Sequence, residues 1–243
     1  MGHNKTSPLQ VLALHGWAGD ARCWEPWRAA TKDLNWLWQC GERGYGELPP
    51  SLPGWPAEED GHTTRMVVGH SLGPHLVPAD VLNRADIVVL LASFAAFVPP
   101  GPDGRRARAA LAGMAASLAD KLQAQTMLRN FMGRVATPQP ADLLPPGPSD
   151  GPLDETNRAR LREDLELLGR CNGLPAGFPR RARVLIVEAE EDRIVEPAAR
   201  RMLREELPDA EVITLPGIGH ALLAGDVIAR VVEWVEKWRR SRA

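Results

Sequence analysis

Short apolar runs recur along this chain and alternate with longer stretches whose apolar residues return at helical spacing. The runs fall at residues 10–14, 36–40, 66–68, 86–92, 183–187 and 211–215. Most are dense in Val, Ile and Leu, the pattern of interior strands covered on both faces. Helices are predicted over 23–34, 197–206 and 226–239, the last with Val231, Val232, Trp234, Val235 and Trp238 on its apolar side. Strands alternating with helices predict an α/β fold, a mainly parallel sheet with helices on both faces.

One long segment departs from this alternation. Between the fourth and fifth runs, residues 97–180 read as an insert with no strand of their own. Residues 105–133 read as helical, a stretch dense in Pro and Gly at 137–152 breaks the pattern, and 157–169 resumes it with Leu161, Leu165, Leu167 and Leu168 as a stripe. The expected organisation is therefore a core formed by 1–96 and 181–243, with 97–180 inserted as a helical cap over the carboxyl edge of the sheet. Residues 49–62, rich in Pro and Gly, are expected to lack regular structure beyond a short turn.

Candidate chemistry sits where the third run ends, at Gly69-His70-Ser71-Leu72-Gly73. A G-x-S-x-G after a buried strand reads as a nucleophile elbow, a sharp strand-to-helix turn that projects the serine hydroxyl. The helix after it is expected to be short or kinked. Pro74 is tolerable in a first turn, but Pro78 removes a donor and clashes with the preceding turn.

A serine hydroxyl is a poor nucleophile at neutral pH. It needs a histidine base, and the histidine needs a carboxylate to hold its tautomer. Both follow in the chain. The run at 183–187 leads into Glu190, Glu191 and Asp192, with Asp192 the preferred acid and its two neighbours the alternatives. The last run leads into Gly219-His220-Ala221, which makes His220 the distal base. An oxyanion needs preorganised N–H donors. Leu72 after the serine and Trp17 in the early His15-Gly16-Trp17 loop are the expected pair. The Trp17 ring is also a candidate wall of the acyl pocket, and His15 a hydrogen-bonder within its own loop. His75, one turn after Ser71, is read either as a pocket residue or as a structural one.

Composition narrows the classes. A chain of 243 residues is one domain's worth, or a core with an insert, and a net charge of −2 gives no support for nucleic-acid binding. The three cysteines, Cys23, Cys40 and Cys171, show no metal-ligand or redox spacing and suit a reducing cytoplasm; Cys40 is given no catalytic role. No metal site, cofactor or membrane partner is expected. No apolar stretch reaches the length of a membrane span, residues 1–8 contain no signal-like apolar region, and a monomer is the favoured state.

Taken together, His15-Gly16-Trp17, the pentapeptide around Ser71, Asp192 with Ile194-Val195, and Gly219-His220-Ala221 resemble the α/β-hydrolase superfamily over the full length of the chain. Within it the chain resembles the BioH-type pimeloyl-acyl-carrier-protein methyl ester esterases. The His-Gly-Trp and Gly-His-Ala motifs, the helical cap, and the cap's Leu165-Glu166-Leu167-Leu168 followed by Asn172 carry that likeness. The resemblance implies a cofactor-free serine carboxylesterase that removes the methyl group from the far end of a pimeloyl thioester and commits the chain to biotin synthesis.

It also implies an acidic carrier-protein partner, for which Arg105, Arg106 and Arg129 on the cap are the candidate contacts; the alternative is a solvated arginine-rich face. Two departures from relatives stand out. Glu42-Arg43-Gly44-Tyr45-Gly46 replaces the usual Asp-x-x-Gly-x-Gly, and Pro74-His75 follows the elbow where a small residue is common. A general short-chain esterase or thioesterase without a carrier, and a non-catalytic receptor or scaffold, remain the alternative functions.

Overall fold

A computed structural model describes residues 7–56, 63–223 and 226–242. Six strands form one sheet: β1 (Leu9–Leu14), β2 (Trp36–Gly41), β3 (Thr64–His70), β4 (Ile87–Leu91), β5 (Arg183–Ala189) and β6 (Glu211–Leu215). Their order is β2-β1-β3-β4-β5-β6 and every pairing is parallel. The central strands are buried on both faces, as all of β4 shows, whereas Leu37 on β2 and Val212 on β6 are exposed at the two edges. β3 runs beyond the apolar 66–68 expected from sequence, because Thr64 and Arg65 pair with Leu9 and Gln10. A ladder needs only backbone groups, so polar residues can extend it.

Alternate residues of the interior strands feed two separate cores. Leu9, Val11 and Ala13 of β1 pack with Trp24, Trp27, Val231 and Val235 on one face, beneath α1 (Glu25–Ala30) and α8 (Val227–Arg240). Leu12 and Leu14 pack with Val77, Leu82 and Leu203 on the other, beneath α2 (Gly73–Leu76), α3 (Ala79–Leu82) and α7 (Pro197–Glu206). The helix expected at 23–34 is shorter. A 3-10 turn at Ala21–Trp24, capped by the Asp20 carboxylate on the Arg22 N–H at 2.9 Å, precedes α1. α2 stops at Leu76 because Val77, the residue before Pro78, turns extended. Residues 49–56 add a bridge, Glu42 to Ser51, that the composition did not suggest; residues 57–62 of that stretch lie outside the described residues.

Between β4 and β5 the regular structure is helical. The stretch expected to be helical at 105–133 holds two helices, α4 (Arg105–Ser117) and α5 (Lys121–Ala136). The break falls at Asp120, whose side chain caps the Gln123 N–H at 2.9 Å. α6 (Glu155–Arg170) begins with a reciprocal capping box between Asp154 and Asn157. A third core of Leu118, Leu128, Leu161 and Leu165 from these helices closes on Trp17, Leu72 and Phe94 at the carboxyl edge of the sheet.

Polar bonds fix α6 to the loop after β2. Asp164, buried, takes both ends of the Arg43 guanidinium at 2.7 Å and the Tyr45 hydroxyl at 2.5 Å. Burial first, and the adjacent Asp164 charge second, hold the Tyr45 phenol well above its ordinary range, so it remains a donor. Asn157 adds bonds to the Gly44 and Gly46 carbonyls. Removing the carboxylate leaves a buried phenol and a half-buried guanidinium without their acceptor. Asp164→Ala is therefore expected to destabilise the protein by about 3 kcal/mol, read as a lowered urea midpoint.

Candidate active site

The loops after β1, β3, β5 and β6 all emerge at the carboxyl edge of the sheet, and they carry Trp17, Ser71, Asp192 and His220. Ser71 holds a left-handed conformation, φ 54°. Its N–H donates to the Leu91 carbonyl at 2.8 Å and its carbonyl accepts from the Ser93 hydroxyl at 2.7 Å. Strain at a non-glycine residue of this kind persists only where the surroundings over-determine it. Here a Cβ at position 73 would collide with the Leu14 carbonyl, so glycine permits the tight turn under the serine.

Asp192 lies just past β5 and is fully spoken for. One carboxylate oxygen accepts from the Ile194 and Val195 N–H groups at 2.8 and 2.9 Å, and the other from His220 Nδ1 at 2.8 Å. Burial alone would raise its pKa, but the His220 charge and these donors outweigh it and hold the carboxyl below its ordinary range. Of the two sequence alternatives, Glu190 is exposed and accepts instead from the Gly217 N–H, and Glu191 is exposed. With Nδ1 donating to Asp192, the His220 lone pair is at Nε2. Among the described residues no hydrogen bond joins the Ser71 hydroxyl to this imidazole. Such bonds are often long in unliganded enzymes and tighten around the substrate.

The cap and the elbow both hold the His220 loop. Gln139 accepts from the Gly219 N–H at 3.1 Å, and the Ala221 N–H donates to the Val135 carbonyl at 3.0 Å. His70, next to the serine, donates Nε2–H to the His220 carbonyl at 2.8 Å, with the two rings 4.9 Å apart. Burial, and then the His220 charge, push the His70 pKa down to about 3.

The early loop crosses directly over Ser71. A Cβ on Gly16 would sit 2.9 Å from Ser71 Cβ, which places Trp17 beside the elbow. Trp17 and Leu72 are buried, and among the described residues neither N–H has a protein acceptor. Two buried, unclaimed donors flanking a serine are what an oxyanion requires. His15 bonds the Gly16 carbonyl of its own loop at 2.9 Å and, beyond that loop, accepts from the Arg43 N–H of the loop after β2 at 3.2 Å. Glu42, at the position of the expected aspartate, fixes the neighbouring loops through the Ala21 and Gly44 N–H groups at 2.8 and 2.7 Å. Against its burial, His15 and these donors keep its pKa low.

A cavity of about 60 Å³ opens on Ser71, walled by Trp17, Phe97, Leu111, Met114, Phe131 and Leu168. Trp17 is pinned there by its indole N–H on the Leu161 carbonyl at 2.8 Å and by edge-to-face contact with Phe131. Arg106 also lines it. His75 does not. Its Nε2–H donates to the Phe94 carbonyl at 3.0 Å, its ring stacks on Phe94, and its Nδ1 lies 3.5 Å from Cys171 Sγ. The pocket reading of His75 is corrected to a packing role. Arg105 and Arg129 are exposed on α4 and α5 and also lie outside the cavity lining.

Arg134, one of the basic residues the cap sequence offers for the pocket entrance, does line the cavity. Sequence reasoning missed Arg193 and Glu196 as lining residues; Arg193 was legible as the neighbour of Asp192, but nothing local marked Glu196. Among the described residues no group of three or more His, Cys, Asp or Glu side chains is placed to hold a metal ion.

The half-buried, neutral His70 has a consequence for stability. An unfolded histidine titrates near pH 6.5, so below that pH the unfolded chain takes up a proton that the folded chain refuses. This contribution is complete above pH 6.5 and is lost as pH falls toward about 3. On the order of 1–2 kcal/mol should disappear between pH 6.5 and 5. Urea unfolding is expected to show that slope in the wild type and its absence in His70→Gln, whose amide can still donate to the His220 carbonyl.

Comparison with known proteins bears on the fold and the family. A model of the alpha/beta hydrolase family matches residues 11–234. An esterase from Exiguobacterium antarcticum superposes with a TM-score of 0.68 at 13% identity, covering 97% of this chain and 93% of its own. An esterase from Rhodococcus sp. ECU1013 gives 0.58 at 19% identity, covering 98% and 92%. The 2-hydroxy-6-oxo-6-phenylhexa-2,4-dienoate hydrolase of Rhodococcus sp. strain RHA1 gives 0.61 at 20% identity, covering 95% and 91%. Comparison with curated protein sequences gives no match. At these identities the structural likenesses speak to fold alone, but the family match spans nearly the whole chain, and the chain belongs to the alpha/beta hydrolase family.

Proposed function

We propose that this protein is a serine hydrolase of carboxylic esters that works through an acyl-enzyme. One observation carries the reading. A serine in a left-handed turn shares a sheet edge with a histidine whose Nδ1 is held by a buried carboxylate at 2.8 Å. His220 takes the Ser71 proton as Oγ attacks the ester carbonyl. Asp192 holds the tautomer and stabilises the imidazolium. The Trp17 and Leu72 N–H groups receive the oxyanion, each worth about 3 kcal/mol in such a site. The alcohol departs with the proton from His220, and water activated by the same imidazole clears the acyl group. No step requires a cofactor.

Two finer readings differ in the partner. Hydrolysis of a pimeloyl-acyl-carrier-protein methyl ester is supported by the motif set and by Arg105, Arg106 and Arg129, which are exposed on the cap and have no ion-pair partner among the described residues. A short-chain esterase or thioesterase without a carrier is supported by the cavity. Its volume of about 60 Å³ is far below the roughly 300–1,000 Å³ of pockets that enclose drug-sized ligands, so a pimeloyl arm would require the cap to move. Cys23, Cys40 and Cys171 are free thiols, and no helix among the described residues is long and apolar enough to cross a membrane. We place the protein in the cytoplasm on the thiols, which suit a reducing compartment.

Wild-type protein is expected to give a burst of p-nitrophenolate from p-nitrophenyl esters and to take a fluorophosphonate label on Ser71. Ser71→Ala should lose both while unfolding as the wild type does. An unlabelled wild-type serine would favour the receptor or scaffold reading instead. Charge reversal at Arg105, Arg106 and Arg129 should slow hydrolysis of a carrier-bound ester but not of the free ester; equal effects on both would remove the carrier from the proposal.

A further inference from the structure

The rim of the Ser71 cavity carries charge that the proposed chemistry does not use. Arg106 on α4, Arg134 on α5 and Arg193 in the loop after β5 all line it, and Glu196 is the only acidic residue among the lining groups. The three arginines come from separate elements, so their convergence is tertiary and not a feature of one helix face. Each is exposed, and among the described residues none has a hydrogen-bond or ion-pair partner. Two other arginines of the same edge are spent on protein acceptors, Arg43 on Asp164 and Arg108 on the Pro99 and Gly101 carbonyls. The inner walls are apolar and the chamber is small. A substrate must therefore place a short, uncharged segment against Ser71, and any polar terminus at the rim.

The path outward points the same way. A groove of about 550 Å³ runs between α4 and α5 and shares Met114, Phe131 and Arg134 with the cavity. Arg134 thus stands at the junction, where the far end of a bound ester leaves the chamber. A guanidinium matches a carboxylate with two parallel N–H donors, and that geometry selects for planar anions. Building on the esterase reading above, we propose that the preferred substrates are esters of short acids that carry a second, ionised carboxylate, with Arg134, Arg193 and Arg106 receiving that carboxylate at the rim. These arginines are specificity determinants and take no part in the bond changes at Ser71.

The test compares monomethyl succinate with methyl succinamate, its neutral amide counterpart, by methanol release. The wild type is expected to favour the anion by about tenfold in kcat/KM, and the preference should shrink as salt is raised. The ratio of the two kcat/KM values should fall toward one in Arg134→Gln and in Arg193→Gln, be partly kept in Arg134→Lys, and rise in Glu196→Gln. Because the readout is a ratio, a general loss of activity in any variant cancels. Equal efficiency on both esters, or a ratio untouched by the arginine substitutions, overturns this inference and leaves the hydrolase reading standing. Turnover of neither ester with no fluorophosphonate label on Ser71 overturns the hydrolase reading, and the inference with it.

Discussion

Each of the sheet's pairings is parallel, so each strand delivers its carboxyl end to the same edge. The register aligns Leu14 of β1 with Gly69 of β3, Gly69 with Leu90 of β4, and Ala189 of β5 with Leu215 of β6. Residues far apart in the chain are thereby forced into one row. The Trp17 loop, the serine, the carboxylate and the imidazole need only short loops to meet, because the hydrogen-bond ladders have already done the positioning. Burial of Val and Ile on both faces of the central strands supplies the free energy that holds those ladders in register.

On that edge three buried carboxylates divide the organising work. Asp192 orients His220, Glu42 ties the loops around His15, and Asp164 fixes the cap helix to Arg43 and Tyr45. A buried charge is costly unless bonded on all sides, and each of these is met by backbone N–H groups, by a cation or hydroxyl, or by a ring nitrogen. The same requirement makes each arrangement specific. Shifting the cap would strip Asp164 of its partners, and shifting the histidine loop would strip Asp192. The unpaired arginines at the rim stand in contrast, since solvent can satisfy them until a ligand does.

Much of this architecture was legible along the chain. The apolar runs marked the strands because an interior parallel strand tolerates few polar residues. The glycines around Ser71 marked the turn because a side chain at 73 would strike β1. Gly219 marked the histidine loop for a related reason, its missing Cβ leaving room for the Thr137 carbonyl. Less legible were features whose signal is a single side chain. The start of α5 is marked by the Asp120 cap, and the length of β3 by backbone bonds that no residue type announces. The role of His75 stayed open between pocket and packing, because its partners, Phe94 and Cys171, lie in other elements.

What the sequence determined by itself is local and periodic: which segments are strands and helices, where the chain turns sharply, and the order of serine, acid and base. These follow from sterics and from the spacing of apolar side chains, and both act over a few residues. Only the tertiary structure decided which of three neighbouring acids meets His220, how small the chamber above Ser71 is, and which of many cap arginines face it. Those outcomes depend on the distance and direction between elements separated by tens of residues, which packing sets and periodicity does not encode.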